Sequence, residues 1–120
     1  MKSLEADYTS QFLFPKSLED FVSADHPARF IREVVEQLRD SGSIELDWRE
    51  DDGKGRPSYS RWLLLRVWLY AYLNSTVASR RVEALCRDNV GMMWLAGLRV
   101  PDHNSLWLFW SLNKKAIKKI

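Results

Sequence analysis

The sequence predicts an all-α protein, a small domain of about four to six helices packed around a central apolar helix near residues 60–74. Three observations predict this fold class. Apolar residues recur at helical spacing along most of the chain after residue 22. One run, residues 62–73, is apolar except for Arg66. A length of 120 residues leaves room for one domain with a single modest core.

The central helix is predicted from residues 57–74, which read PSYSRWLLLRVWLYAYLN. Its apolar residues form two rows at helical spacing, Leu63, Val67, Tyr70 and Leu73 in one and Leu64, Trp68 and Tyr72 in the other. A helix that is apolar nearly all round is typical of an element enclosed by others. Pro57 and Ser60 suit its start, and Asn74 suits its end. A membrane span is the alternative, but it needs about 20 apolar residues and disfavours a central charge such as Arg66.

Two elements are predicted before the central helix. Residues 17–21, SLEDF, have the Ser-x-x-Asp pattern of a capped helical turn. A longer helix begins at Pro27, after His26, and ends at Gly42. Its predicted core face consists of Phe30, Ile31, Val34, Val35 and Leu38. His26 is a candidate metal ligand or base, but its place beside a helix start favours a polar cap.

A charged, irregular segment is predicted between these helices, from residue 43 to residue 56. Ile44, Leu46 and Trp48 alternate with polar residues, and residues 49–55 form a loop with three carboxylates and two glycines. Three carboxylates suggest a magnesium or calcium site, but the spacing of a calcium loop is missing. The lysine and following hydroxyl residue of a phosphate loop are also missing. A solvated loop is the favoured interpretation.

Three further elements are predicted after the central helix. One face of a third helix is formed by Ala78, Val82, Leu85, Cys86 and Asn89. Residues 92–95 form a short apolar turn closed by Gly97. An amphipathic last helix follows its predicted cap, Asp102. The core face of that helix consists of Leu106, Phe109, Trp110, Asn113, Ile117 and Ile120. His103 is expected to bond to nearby backbone, so Asp102 and His103 are interpreted as a helix start and not as a catalytic pair.

Charge is distributed unevenly along the chain, whose formal net charge is +2. Residues 1–60 carry 8 Lys and Arg against 13 Asp and Glu, and residues 61–120 carry 10 against 3. The candidate phosphate contacts of the basic half are Arg80, Arg81 and Arg87 in the third helix and Lys114, Lys115, Lys118 and Lys119 at the end of the last helix. Arg80 and Arg87 project in one direction because seven residues make about two helical turns. Solvation, or pairing of the arginines with Glu83, is the alternative.

Composition argues against several other classes of protein. Cys86 is the single cysteine, which excludes an internal disulfide and a cysteine-rich zinc site and fits a reducing cytosol. The N-terminus has no apolar stretch after a basic start, so a secretory signal is not predicted. Catalysis needs several converging groups, and only Glu83, Asp88 and Asp102 are acidic after Arg61. We therefore predict no active site, membrane segment or small-molecule substrate.

Several short motifs occur in order along the chain. They are GRPSY at 55–59, LYAY at 69–72, SRRVE at 79–83, WLAG at 94–97 and PDHNS at 101–105. Together with the segment from Phe14 to Phe30, they resemble the N-terminal domain of bacterial insertion-sequence transposases of the DDE type, the InsH-like N-terminal domain. The resemblance covers roughly residues 12–117. The sequence departs from the family pattern at Arg61, where proline is common, and at Leu108, where a basic residue is common.

The resemblance implies a helical module that helps a transposase hold the terminal inverted repeats of its element. Its implied partners are DNA and another transposase copy, and its implied location is the bacterial cytoplasm, in association with the nucleoid. Full-length relatives continue into a ribonuclease H-like domain with three metal-binding carboxylates. We therefore expect no cofactor in this chain, with Mg²⁺ needed only by that further domain. The chain is expected to be a non-catalytic fragment, with an N-terminal arm at 1–22 and the helical domain at 23–120, truncated before any catalytic domain.

Two alternatives stay open beside DNA binding. Trp107, Leu108 and Trp110 form a candidate interaction surface on the last helix, because exposed apolar patches usually mark interfaces. Such a surface suits dimerisation or docking on the catalytic domain. A non-functional transposase remnant is the other alternative.

Overall fold

A computed structural model describes residues 17–49 and 59–120 of the protein. Over these residues the chain forms one 3₁₀ turn, five α-helices and no strand. The elements are the turn at Leu18–Phe21, α1 at Pro27–Ser41, α2 at Arg61–Leu73, α3 at Ser79–Asp88, α4 at Val90–Leu95 and α5 at His103–Ile117. The predicted all-α fold is confirmed. Most of the predicted N-terminal arm, and the predicted charged loop from residue 50 onward with Pro57, lie outside the described residues.

Helix α2 is the element around which the others pack, since α1, α3, α4 and α5 all contact it. Its buried residues are Leu64, Leu65, Val67, Trp68, Tyr70 and Ala71. The Ser60 hydroxyl accepts a hydrogen bond from the Trp62 amide (3.2 Å), as predicted for the residue that caps this helix. The described part of the chain contains no helix long and apolar enough to cross a membrane.

The last turn of α2 is less enclosed than predicted. Tyr72 is 68% exposed and Leu73 is 55% exposed, although both continue the two apolar rows of the helix. Residues four apart are displaced by about 40° around a helix axis. Tyr72 is therefore displaced by roughly 80° around the helix axis from Leu64. Its side chain points away from the neighbouring helices.

Helix α1 begins as predicted and packs through a narrower face than predicted. The His26 Nδ1 atom accepts a hydrogen bond from the Ala28 amide (3.0 Å), so this histidine is a cap. Ala28, Ile31 and Val35 are buried. Phe30, predicted in the core, is 64% exposed. The reason is geometric, because each residue turns about 100° around the axis and Phe30 falls beside the buried stripe.

The segment predicted as an apolar turn is the short helix α4. Asn89, predicted on the core face of the third helix, instead caps α4, because its Oδ1 accepts a hydrogen bond from the Met92 amide (3.0 Å). Its extended backbone (φ −100°, ψ 121°) separates α3 from α4. The following Gly91 lies against α1 and α2: an added Cβ would be 2.5 Å from the Tyr70 hydroxyl and 2.6 Å from His26 Cε1. Glycine therefore permits this close approach, which sets the position of α4.

The N-terminal 3₁₀ turn is held against α1 and α4. The Ser17 amide donates to Asp20 Oδ2 (3.0 Å), so the predicted capped turn is confirmed. Arg29 donates to the Glu19 carboxylate (2.6 Å) and to the Val22 carbonyl (2.7 Å). Trp94 Nε1 donates to the other Glu19 oxygen (2.5 Å). Glu19 thus joins the turn to two helices.

Residues 43–49 run extended across the domain without a strand partner in the described structure. Leu46 is buried (7% exposed), and two side chains take the place of a neighbouring strand. Asn113 accepts from the Asp47 amide (2.6 Å) and donates to the Asp47 carbonyl (2.9 Å). Arg61 donates to the carbonyls of Leu46 (3.1 Å) and Trp48 (3.0 Å). Arg61 therefore fixes this segment to the start of α2.

Helix α5 covers one side of α2. Its buried residues are Leu106, Phe109, Asn113 and Ile117. Trp110 is half-buried, with its ring 5.0 Å from that of Trp68. Ile120, predicted to extend the core face, is 50% exposed because α5 ends at Ile117 and the apolar stripe ends with it.

Candidate nucleic-acid interface

The first candidate set consists of the three arginines of α3, Arg80, Arg81 and Arg87, all of which are at least partly exposed. Val82 and Cys86 of the same helix are buried, at 0% and 2% exposed. Arg80 and Arg87 lie on the roughly opposite side of the helix axis from this pair. Packing of the apolar face therefore directs these two arginines outward.

Glu83 partly engages one of these arginines. Its side chain is only 14% exposed and lies 3.9 Å from an Arg87 nitrogen, while Arg87 itself is 62% exposed. The pairing considered from the sequence is thus present, but it is long and on the surface, where an ion pair contributes little. Arg87 keeps most of its surface available to a ligand.

The second candidate set consists of the four lysines at the end of α5, Lys114, Lys115, Lys118 and Lys119, which are also exposed. Lys114 and Lys115 lie in the last turn of the helix, and Lys118 is its C-cap. Cations there are stabilised by the partial negative charge of the helix C-terminus. The buried Asn113 and Ile117 hold the opposite side of this turn against the core.

The fold does not merge the two sets into one patch. Glu83, in the middle of the α3 set, accepts a hydrogen bond from the amide of His103, the first residue of α5 (3.2 Å). Lys114 follows eleven residues later, roughly 16 Å further along the helix. The chain therefore presents two basic surfaces, one near the start of α5 and one at its end.

The three predicted interaction residues differ in exposure. Trp107 is 60% exposed and Leu108 is 46% exposed. Trp110 is instead half-buried against Trp68 and lines a groove of about 140 Å³ with Tyr72 and other residues. Trp107 and Leu108 are thus accessible to a partner, whereas Trp110 serves partly as core.

The Asp102-His103 pair has the structure of a helix start. Asp102 accepts hydrogen bonds from the amide (3.1 Å) and hydroxyl (2.7 Å) of Ser105. Partial burial alone would raise the pKa of Asp102, but the hydrogen bonds from Ser105 and the nearby His103 hold that pKa below its usual value. The prediction that the His103 side chain bonds to nearby backbone is wrong. Its Nδ1 lies 3.4 Å from a Glu83 oxygen, because α3 packs beside the start of α5.

Two observations on the described residues concern metal binding and thiol chemistry. In residues 17–49 and 59–120, no group of three or more His, Cys, Asp or Glu side chains is placed to hold a metal ion. Burial raises the pKa of the Cys86 thiol to about 11, with Glu83 adding to the effect. A thiol of this kind is a poor nucleophile near neutral pH.

Sequence reasoning missed a cleft between α1, α2 and the end of α4. It has a volume of about 480 Å³ and is lined by three arginines, Arg32, Arg66 and Arg99, together with Glu36 and apolar residues. These arginines are more than thirty residues apart in the chain, so no local motif brings them together. The one available signal was Arg66, the single charge within the apolar run 62–73.

The fold and these surfaces define a class of protein: a small helical domain that presents several groups of cations to its surroundings. Residues 16–112 match the family described as "Transposase domain (DUF772)", and the chain belongs to that family. A search of curated proteins and a search of solved structures each returned no match. Membership of this family gives the chain a transposase-related role.

Proposed function

We propose that this chain is a DNA-binding and assembly module from the N-terminal part of a DDE-type insertion-sequence transposase, and that it contacts the terminal inverted repeats of its element. One observation carries the proposal. All seven cations predicted as phosphate contacts are at least partly exposed, and they occupy two surfaces of a folded domain. Membership of a transposase family makes DNA the polyanion that these surfaces are most suited to meet.

Binding of this kind is mainly electrostatic. A lysine or arginine that neutralises a phosphate releases condensed counterions, so affinity falls as salt concentration rises. About four to six phosphate contacts would give a slope of log affinity against log salt of roughly −4 to −5. We assign no residue to base recognition, and we assign the module no catalytic step and no cofactor of its own. Mg²⁺ would be required by a separate catalytic domain.

Fluorescence anisotropy of a labelled duplex carrying the terminal repeat tests the proposal. Replacement of the four α5 lysines by Gln, or of the three α3 arginines by Gln, is expected to weaken binding at low salt. The salt slope should become shallower by about 0.9 for each phosphate that the variant no longer neutralises. Arg49→Gln is the matched control, because Arg49 is exposed but belongs to neither set. If the unmodified protein does not bind the duplex even at low salt, the proposal is wrong.

A second function is favoured by the exposure of Trp107 and Leu108 at 60% and 46%. An interaction module would use these residues to dock on another copy or on the catalytic domain. The double variant Trp107→Ser, Leu108→Ser would then shift light-scattering mass toward the monomer. Val77→Ser, at a position that is 64% exposed and distant in sequence, is the control. A monomer at all concentrations before substitution would argue against self-association.

A further inference from the structure

The cleft between α1, α2 and the end of α4 concentrates positive charge. Arg32 comes from α1, Arg66 from the middle of α2 and Arg99 from the turn after α4. Glu36 is the one carboxylate among the residues that line the cleft, so these residues sum to a formal charge of +2. Like charges repel one another across a short distance, so the three arginines do not stabilise the fold through their mutual interaction.

The side chains of Arg66 and Arg32 have partners within the fold. Arg66 Nε donates to the Leu95 carbonyl (3.2 Å), which uses one of its five N–H groups. Arg32 Nε donates to Glu36 (3.3 Å), and the Arg32 guanidinium lies 5.3 Å from the centre of the Trp94 ring. Arg99 lies at the end of the turn, where its amide donates to the Ala96 carbonyl (3.0 Å). The side chains of Arg66 and Arg32 are therefore partly oriented before any ligand binds, whereas Arg99 is exposed.

The surroundings of Arg66 disfavour its positive charge. Burial lowers the pKa of Arg66, and the nearby positive charges of Arg32 and Arg39 lower it further, while Glu36 acts in the opposite direction. A bound anion would offset both the desolvation and the repulsion. The guanidinium group also matches the oxygen geometry of phosphate, to which it can donate two parallel hydrogen bonds.

We propose that the arginine cleft binds a phosphate group of the DNA backbone, as a third contact surface beside the two basic sets. This inference rests on the proposed DNA-binding function. We assign the ligand as a phosphate because three arginines line the cleft and a guanidinium group matches the oxygen geometry of phosphate. Three donors around one cleft favour a compact oxyanion.

Two substitutions test the site in DNA binding, one that removes a positive charge from the cleft and one that removes its negative charge. Arg99→Gln is expected to weaken binding to the duplex about tenfold, as for removal of one charge-assisted hydrogen bond, and to make the salt slope shallower by about 0.9. Glu36→Gln is expected to tighten binding, because it removes the opposing carboxylate. Both positions are exposed, so thermal unfolding should remain close to that of the unmodified protein. If the protein binds DNA and both variants bind it unchanged, the cleft inference is overturned while the proposed function stands.

A titration with inorganic phosphate tests the cleft in the absence of DNA. The Arg66 Nε–H resonance in a ¹H–¹⁵N spectrum is expected to shift and saturate as phosphate is added, and to shift less in Arg99→Gln. An equal shift with chloride at matched ionic strength would overturn the site. If the protein binds no DNA but the phosphate shift saturates, the cleft is a site for a free phosphate compound and the DNA part of the inference is wrong. A glutamate-rich peptide that shifts Arg66 as strongly as phosphate would overturn the assignment to phosphate.

Discussion

At the scale of single residues, two turns within residues 17–49 and 59–120 place residues other than glycine in the left-handed backbone region. Ser75 has φ 58° and Leu98 has φ 65°. Ser75 follows α2 in a Schellman turn, in which its amide donates to the Tyr72 carbonyl (2.9 Å) and the Thr76 amide donates to the Ala71 carbonyl (2.9 Å). Glycine usually occupies this position because its lack of Cβ removes the steric cost. Ser75 is therefore a point of local strain.

Ser75→Gly is expected to stabilise the domain by about 0.5 to 1 kcal/mol, since relief of the left-handed strain exceeds the added entropy of the unfolded chain. Urea unfolding followed by far-UV circular dichroism measures the change. Gly97 occupies the equivalent position after α4, with φ 58°, so Gly97→Ala should destabilise by about 1 kcal/mol. A destabilising Ser75→Gly would contradict the interpretation.

Glu19 makes the attachment of the N-terminal turn sensitive to acid. The hydrogen bond from the Trp94 indole, followed by that from Arg29, lowers the pKa of Glu19 from its ordinary value of 4.5. A lowered folded-state pKa means that the contribution of this carboxylate to stability is fully present above pH 4.5 and is lost as the pH falls through the folded-state value. We expect the Trp94 indole N–H resonance to move in that acidic range. In Glu19→Gln the same resonance should not titrate there, and an unchanged titration in this variant would contradict the assignment.

At the scale of elements, the extended segment 43–49 depends on one buried amide. Asn113 is 3% exposed, and besides its two bonds to Asp47 it donates to the Phe109 carbonyl (3.0 Å). The amide provides the donor and acceptor that a neighbouring strand would provide. Backbone groups that are left unpaired after burial cost free energy.

Asn113→Leu keeps the approximate size of the side chain and removes both of its bonds to Asp47. We expect a loss of about 2 to 4 kcal/mol in the free energy of unfolding, because the Asp47 amide and carbonyl are left without their partner. Thermal and urea unfolding measure this loss. Asn104→Leu, on the exposed surface of the same helix, should change stability by less than about 1 kcal/mol. Equal effects of the two substitutions would show that the Asp47 contacts contribute nothing specific.

The helices and their caps also show which parts of the fold can be predicted from the sequence. The caps Ser60, His26 and Asp102 were predictable because a cap and its helix are neighbours in the chain. The exposure of Phe30 and Tyr72 was not, since periodicity reveals an apolar stripe but not which part of it a neighbouring helix covers. Asn113 was placed on the core face from its spacing, but its pairing with a segment 66 residues away depends on tertiary structure.

At the scale of the whole molecule, the positive charge of the second half of the chain is divided by the fold into separate surfaces. Sequence predicts which cations are exposed, because an apolar stripe directs the opposite face outward. It does not predict that the α3 and α5 sets lie apart, or that Arg32, Arg66 and Arg99 converge. Those arrangements follow from how α1, α3, α4 and α5 pack on α2 and on one another.

This separation predicts that the two basic sets act independently on a duplex long enough to reach both. One double variant carries Arg80→Gln and Arg81→Gln, and the other carries Lys118→Gln and Lys119→Gln. Their decreases in binding free energy should add in the quadruple variant to within about 0.5 kcal/mol, as for sites that share no partner. Anisotropy titrations at one salt concentration measure the three decreases. On a duplex too short to reach both surfaces, the additivity should fail, because one duplex cannot then occupy both. If the quadruple variant binds the long duplex no more weakly than the more damaged pair, only one of the two sets faces the DNA.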